Sequence, residues 1–559
     1  MNNNNILKNI CYVISLLMFS SVANAVDSQP QVAGSWIAIL PPLLTIVVAL
    51  AFKRVIPALF LGIWMGAWAI NDFGLVGIWT GLLDTFQVFV ANALSNPDHS
   101  AIVLFSMMIG GMVGIISRNG GMQGIVNYIV RWADSARHAC LATASLGLAI
   151  FFDDYANTLV VGNTMRPVTD SMRISRAKLA YIVDSTAAPV ACIAIVTTWI
   201  GYEIGLIGDS ISKMPGLDIE AYLLFLNTLP YSFYPIMAIA FVFMVSASGR
   251  DFGPMLEAEL HAQKHGSESS GAVNVNTQEA SVLQAVEDVP QRAFNAYIPI
   301  LVMIMGVLVG LYVTGMQAVT DIAEPTLQDI IGSADSYTAL MWASIASMMS
   351  AALLTLGQKI MDLEGVVNAW FHGARDMFMA MIILILAWSL GEVSDILKTA
   401  DFLVSILGDS LPTFILPALV FILAAATAFA TGSSWGAMGI LFPLAMPLTW
   451  AVMTAQGQTG VEDMHILYSA VSAILAGAVW GDHCSPISDT TILSSLASGC
   501  DHIEHVRTQL PYAITVGGTA VLTGSILTAL GVPWWIGMTL GLVVLWLILR
   551  FYGKPSYAG

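Results

Sequence analysis

The sequence predicts an all-α polytopic membrane protein with two inverted repeats, re-entrant hairpins and proline-broken transmembrane helices. Three observations carry that fold class. Of the 559 residues, 57% are hydrophobic and only 10% charged, with a mean hydropathy of +0.77, which is far too apolar for a soluble domain. The apolar stretches are of helix length and hold Gly, Ala, Ser and Met, without the alternation of lipid-facing strands. Two segments that place an Asp shortly before a proline, residues 184–189 and 482–486, stand in corresponding positions of two halves, and such paired interruptions mark a binding site between repeats. The formal charge of −17 argues against a nucleic-acid partner. Cys11, Cys140, Cys192, Cys484 and Cys500 lack metal-ligand or disulfide spacing and read as buried apolar residues.

Residues 1–25 hold Lys8, an apolar run over 10–19 and the ending Val22, Ala23, Asn24, Ala25. This is the layout of a signal peptide cleaved after Ala25, or of an N-terminal anchor. With cleavage, a helix over 35–52 runs inward to Lys53 and Arg54, in keeping with the positive-inside rule. The first membrane repeat half spans 34–248. Its helices over 55–70, 79–94 and 102–116 carry no buried acid tied to transport, and Gly110 and Gly111 suit helix contact. The apolar run 139–150 leads to Asp153 and Asp154, and Arg166, Arg173, Arg176 and Lys178 then form a basic segment placed in the cytoplasm. Residues 249–293 are polar and poor in large apolar side chains, which predicts a flexible cytoplasmic linker. The second membrane repeat half spans 294–559. In it, the acidic loop 321–335 is expected outside, and Arg375, Asp376, Glu392 and Asp395 are expected to flank the 378–390 helix as end residues. Helices over 512–530 and 534–548 end at Arg550 and Lys554, expected in the cytoplasm.

The stretch that organises the chain is 481–491, where Asp482, His483, Ser485, Ser488, Asp489 and Thr490 interrupt apolar sequence. Each Asp at mid-bilayer depth costs roughly 2.5–3.5 kcal/mol, so such residues face a cavity or an ion. Pro486 lacks an N–H and disfavours the helical conformation at Ser485, which frees backbone carbonyls for a ligand. The neutral counterpart, Ser433, Ser434 and Trp435 beside Gly432, suits a re-entrant hairpin. In the first half the matching residues are Asp153, Asp154 and Asn157, followed by Asp184, Ser185 and Thr186.

A hard cation such as sodium prefers oxygen ligands, so Asp154, Asp482 and Asp489 are its candidate carboxylates, with Asp184 as an alternative first-half partner to Asp154. Ser433, Ser434, Ser485 and Thr490 would add neutral oxygens. A buried carboxylate takes either a proton or a cation, which is antiport in its simplest form. Blander roles compete: one of Asp153 and Asp154 as a helix cap, His483 as a hydrogen-bonded packing residue instead of a proton carrier, and Trp435 as packing or gate. Asp501, His502, Glu504 and His505 are expected in a solvated loop at an element boundary. No nucleophile elbow, zinc-protease motif or phosphate-binding loop is present, so no enzymatic activity and no organic cofactor are expected.

With those residues in hand, the chain resembles the NhaC-type sodium/proton antiporter family of the ion transporter superfamily over about residues 34–548. The resemblance is sharpest at 152–157, 184–189, 431–436 and 481–491, and continues at Gly499, Cys500, Asp501 and His502 and at 508–512. It implies inverted repeats with hairpins and broken helices, and exchange driven by sodium and proton gradients, with sodium as coupling ion or substrate. A sodium-coupled carrier of an amino acid or small carboxylate is the alternative on the same fold. The expected setting is the bilayer of a bacterial inner membrane, crossed many times, and a homodimer is compatible with the architecture.

Overall fold

The computed structural model describes residues 30, 32–267, 289–319, 325–407 and 411–556; the signal or anchor expected over 1–25 lies outside the described residues. Helix α1 (Leu40–Phe52) follows a short turn capped by the Ser35 side chain and has prolines in its first turn, where the missing N–H costs nothing. Lys53, at φ 55°, turns the chain into α2 (Val55–Ile70). Asn96 caps α3 (Pro97–Arg118) by accepting from the Asp98 and His99 amides. The first half continues through α4 (Ala136–Ala149), α5 (Asp154–Ser171), α6 (Arg176–Ser185), α7 (Ala188–Ile193), α8 (Ile200–Ser212) and α9 (Phe233–Ser248). After α10 (Gly253–His265) come α11 (Phe294–Ala318), α12 (Ser336–Gly357), α13 (Leu363–Asp376) and α14 (Phe378–Ile396). The chain closes with α15 (Leu416–Thr431), α16 (Ser434–Ala455), α17 (Met464–Cys484), α18 (Asp489–Ser498), α19 (His502–Thr519) and α20 (Trp534–Phe551).

Among the described residues, 9 helices are long and apolar enough to cross a membrane, or 10 if the bent pair Ala221–Tyr231 and Phe233–Ser248 counts as one span. Their burial separates centre from rim. The apolar windows of α16 and α17 are 83% and 78% buried, whereas those of α11 and α20 are 39% and 28% buried. On these rim helices Leu301, Val309, Tyr312 and Trp546 point outward, as a lipid-facing surface requires. Close packing at the centre depends on glycine. A Cβ on Gly373 would run into the Gly110 carbonyl between α13 and α3, and one on Gly481 would run into the Ala425 carbonyl between α17 and α15.

The segment read as a flexible linker over 249–293 is folded at its start. Arg250–Asp251 forms β1, paired antiparallel with β2 (Lys554–Pro555). The Arg250 guanidinium then holds the Leu549, Arg550 and Gly553 carbonyls at the end of α20, a position that favours a cation. Helix α10 buries Met255, Ala258, Glu259 and Ala262; residues 268–288 of the linker lie outside the described residues. Composition misled here because the polar residues find distant partners. Lys178 pairs with Asp251, the Tyr512 hydroxyl donates to the same carboxylate at 2.6 Å, and the Ser175 hydroxyl and amide donate to Glu259 at 2.5 and 2.8 Å. All of these side chains are buried.

Lys178→Met leaves two buried carboxylates without a cation and should cost about 3–5 kcal/mol of stability, read as a fall in the Tm of the detergent-purified protein. Burial first, and then the neighbouring Asp251, push Glu259 from its ordinary 4.5 up to about 7. The folded state therefore binds the extra proton, so this group's contribution to stability is full below pH 4.5 and is lost as pH rises to about 7. Glu259→Gln should flatten that part of the Tm against pH curve, and an unchanged slope would contradict the assignment.

Candidate functional site

The same local order builds both halves of the centre. After α4 the chain leaves helical geometry at Ile150, Asp153 caps α5 by accepting from the Ala156 amide at 2.7 Å, and Asp154 takes the first helical position. After α15 the chain turns at Gly432, φ 70°, Ser433 caps α16 by accepting from the Gly436 amide at 3.3 Å, and Ser434 takes the first helical position. The helix that follows is in turn succeeded by one ending in a break. That break falls at Thr186 and Ala187, just beyond Asp184, in the first half, and at 485–488, just beyond Asp482, in the second. Pro486 sits in the second break as the sequence predicted, and Ser488 caps α18, which places Asp489 at a helix N-terminus where negative charge is favoured.

Within each half the two breaks cross. The Asn157 amide donates to the carbonyls of Gly147, Ile150 and Thr186 at 2.7, 3.2 and 3.0 Å, so it ties the first-half breaks together. In the second half Ser485 donates to the Phe429 carbonyl at 2.7 Å, and Gly432 lies so close to the Ile487 carbonyl that any Cβ would collide with it. Gly432 is required twice, by its left-handed backbone and by this approach.

Two buried carboxylates are left half-satisfied by this framework. Asp482 Oδ2 accepts from the Ser434 hydroxyl at 2.5 Å and from the Ser434 amide at 3.3 Å, while Asp482 Oδ1 has no partner among the described residues. Asp154 Oδ1 accepts from the Trp199 indole at 3.1 Å, while Asp154 Oδ2 has none. Asp154 lies within Coulombic reach of Asp482, and Asp482 within reach of Asp489 and Asp184. Buried carboxylate oxygens are normally paired, so these two stand out from the rest of the framework.

Asp184 is different. Thr491 Oγ1, Gln509 Nε2 and Ser494 Oγ approach its two oxygens at 3.0, 2.6 and 3.4 Å, and all three donors belong to the second half. His483 Nε2 lies 3.2 Å from the Asp184 carbonyl and His483 Nδ1 lies 2.8 Å from the Tyr234 hydroxyl. Both residues therefore join the halves, which supports the packing role for His483.

A cavity of ≈ 1050 Å³ adjoins this centre and is lined by Asp489, Ser433, Trp435 and Tyr155 as well as by Lys53, Arg54, His372, Arg375 and Asp376. Asp489 is exposed to it, whereas Asp154 and Asp482 are 1% and 4% exposed and lie behind the wall. Trp435 packs against Trp199 at 5.1 Å and edge-on against Tyr202 at 4.7 Å between ring centroids, and the Tyr202 hydroxyl donates to the Trp435 carbonyl at 2.5 Å. Trp435 thus connects the cavity wall to the indole that holds Asp154.

Several sequence-predicted residues have local duties. Asp153 is a cap, Thr186 bonds the Ile182 carbonyl of its own helix, and Ser488 caps α18, lies 3.1 Å from Thr490 Oγ1 and also faces Asp482. Ser185 is buried beside Tyr181. The solvated loop expected around His505 is instead part of α19, capped by Asp501. His505 is fully buried, between Ser495 and Gln509 and 3.9 Å from Asp184, and His502 reaches the Pro486 carbonyl at 2.6 Å. The reading failed because these residues were scored by polarity, while Asp501 accepts from the Glu504 amide as a cap and the two histidines find partners in Ser495, Gln509 and the Pro486 carbonyl. Sequence reasoning also missed Trp199, Tyr202 and the donor role of Gln509, although 508–512 had been singled out by resemblance.

A sequence model described as the Na+/H+ antiporter family matches residues 190–532. An uncharacterized protein of Haemophilus influenzae is 33% identical over 518 residues, 92% of each chain. The malate-2H(+)/Na(+)-lactate antiporter of Bacillus subtilis is 30% identical over 237 residues, 38% of this chain and 44% of that one. Among solved structures, the YdaH transporter of Alcanivorax borkumensis aligns with TM-score 0.54 and 13% identity over 81% of this chain and 90% of that one, a likeness of fold alone. Many apolar helices, interrupted spans around buried acids and these relationships agree: the protein is a multi-pass membrane transporter, and it belongs to the Na+/H+ antiporter family.

Proposed function

We propose that the protein exchanges sodium for protons across a bacterial inner membrane at a site made by Asp154, Asp482 and Ser434, with Asp489 at its entrance. The observation that carries this reading is the pair of buried carboxylates, each with one oxygen unpartnered. An uncompensated charge at such depth is expensive, so each group holds either a proton or a cation. Sodium binding then expels the proton, and proton binding expels sodium. Ser434 holds Asp482 in place through the oxygen that is not offered to the ion, and the α16 N-terminus steadies the carboxylate when it is charged. Alternating access follows if the two halves, related as inverted repeats, rock about the seam that Asp184 and His483 bridge. The test is a pH-dye assay in proteoliposomes: sodium should discharge a preset proton gradient, and no response to sodium, lithium or potassium would remove the reading.

One observation favours a second reading, a sodium-coupled carrier of an amino acid or small carboxylate. The ≈ 1050 Å³ cavity is far larger than an ion needs, and in its lining Lys53, Arg54 and Arg375, with His372, outnumber Asp376 and Asp489, a balance that favours an organic anion. The name of the Bacillus subtilis relative supports it further. Counterflow with labelled malate, lactate and amino acids separates the two readings.

A further inference from the structure

Helix α8 and the residue before it carry three polar side chains within little more than one turn, two of which reach the centre. Trp199 donates to Asp154 and Tyr202 donates to the Trp435 carbonyl. The third, Glu203, is fully buried, and among the described residues the Cys192 thiol, a weak donor outside ordinary hydrogen-bond geometry, is the one group set against its carboxyl. Four residues after Trp199, it lies on the same helix face, roughly 6 Å away along the helix surface.

The titratable group that faces Glu203 is the Cys192 thiol of α7, the short helix beyond the Asp184 break. Elsewhere around α8 lie Phe105, Ile102 and the Ser106 hydroxyl of α3 at Gly201 and Gly205, Trp388 of α14 at Gly205, and the Tyr337 hydroxyl of α12 at Gly208. The charged groups at the far end of α8, Asp209 with Lys213 and with His99 of α3, pair with one another. No cation faces Glu203 among the described residues. An ionised carboxylate there would be prohibitively costly, so the group is neutral and holds a proton in this conformation. Even neutral, a buried carboxyl with only a thiol beside it is costly, and an apolar residue of the same size would remove that cost.

We propose that Glu203 is a second proton carrier of the exchange cycle, loaded in the present conformation and unloaded when α8 moves against α7 and Trp435 and admits water. In the unloading step the carboxyl O–H bond breaks and the proton passes to water, leaving the carboxylate. The inference rests on the sodium/proton exchange reading. With one proton exchanged at the Asp154 and Asp482 centre and one at Glu203, each turnover moves two protons against one sodium ion and is electrogenic.

The experiment is sodium flux in proteoliposomes under an imposed potassium-diffusion potential, for wild type, Glu203→Gln and Glu203→Asp. Wild-type flux should respond to the potential. Glu203→Gln, neutral and of the same shape, should still exchange, with the ratio lowered from two protons per sodium to one, no voltage response and a shallower pH profile, and Glu203→Asp should recover the voltage response. Wild-type voltage response and pH profile retained in Glu203→Gln, or a voltage-independent wild type, would overturn the inference while leaving exchange itself standing. Absence of any sodium/proton exchange in wild type would instead remove the underlying reading. If Glu203→Gln is inactive, infrared difference spectra of wild type and Glu203→Asp decide. A protonated-carboxyl band that is lost on sodium addition and shifted in the Asp variant supports the proposal, and its absence overturns it.

Discussion

Asp482→Asn abolishes sodium-coupled transport, by on the order of 100-fold or more, while the protein still inserts and folds. The asparagine carbonyl can still accept from the Ser434 hydroxyl and amide that now hold Asp482 Oδ2, so the crossing of α16 and α17 survives. What disappears is the charge, and with it both the affinity for a cation and the proton that the cation displaces. The check is sodium-driven dye recovery in proteoliposomes, set beside size-exclusion profile and Tm for the same preparation. Full activity in the variant would take Asp482 out of the mechanism.

Asp184→Ala has the opposite signature: it strikes the fold. The carboxylate receives Thr491, Gln509 and Ser494 from the other half, and truncation strands a buried amide and buried hydroxyls together. The expected loss is about 3–5 kcal/mol, measured as a lower Tm in detergent. Asp184→Asn keeps the volume and one acceptor, and should retain sodium-coupled exchange within about tenfold at reduced stability. Exchange lost in Asp184→Asn at wild-type stability would move Asp184 from the seam into the ion site.

This contrast marks what the sequence could convey. Pro486 and Gly432 act through local backbone rules, so the breaks around Asp482 and Ser433 were legible without a fold, and so was the capping alternative for Asp153. The same order of a polar break followed by an Asp-to-Pro break recurs in both halves, which drew attention to Asp154 and Asp184 in the first half and to Asp482 in the second. Which acid is satisfied and which is vacant was not legible, because the donors to Asp184 come from residues 307 to 325 positions away. Asp251 and Glu259 were read as linker for the same reason: their partners Lys178 and Ser175 lie 73 and 84 positions earlier. Glu203 was passed over because it lies beyond the interrupted segment that drew attention to Asp184, and only the packing of α8 shows that it is fully buried with no cation to face it.

The competition of sodium with protons for one buried carboxylate pair is tested most directly by sodium binding to the purified protein, followed by calorimetry across pH with proton release recorded in buffers of different ionisation enthalpy. The account predicts that apparent sodium affinity weakens by about tenfold for each pH unit of acidification once the carboxylates are protonated, with proton release on binding, and that Asp482→Asn shows neither effect. Sodium affinity that stays constant across pH, with no proton released, would contradict it.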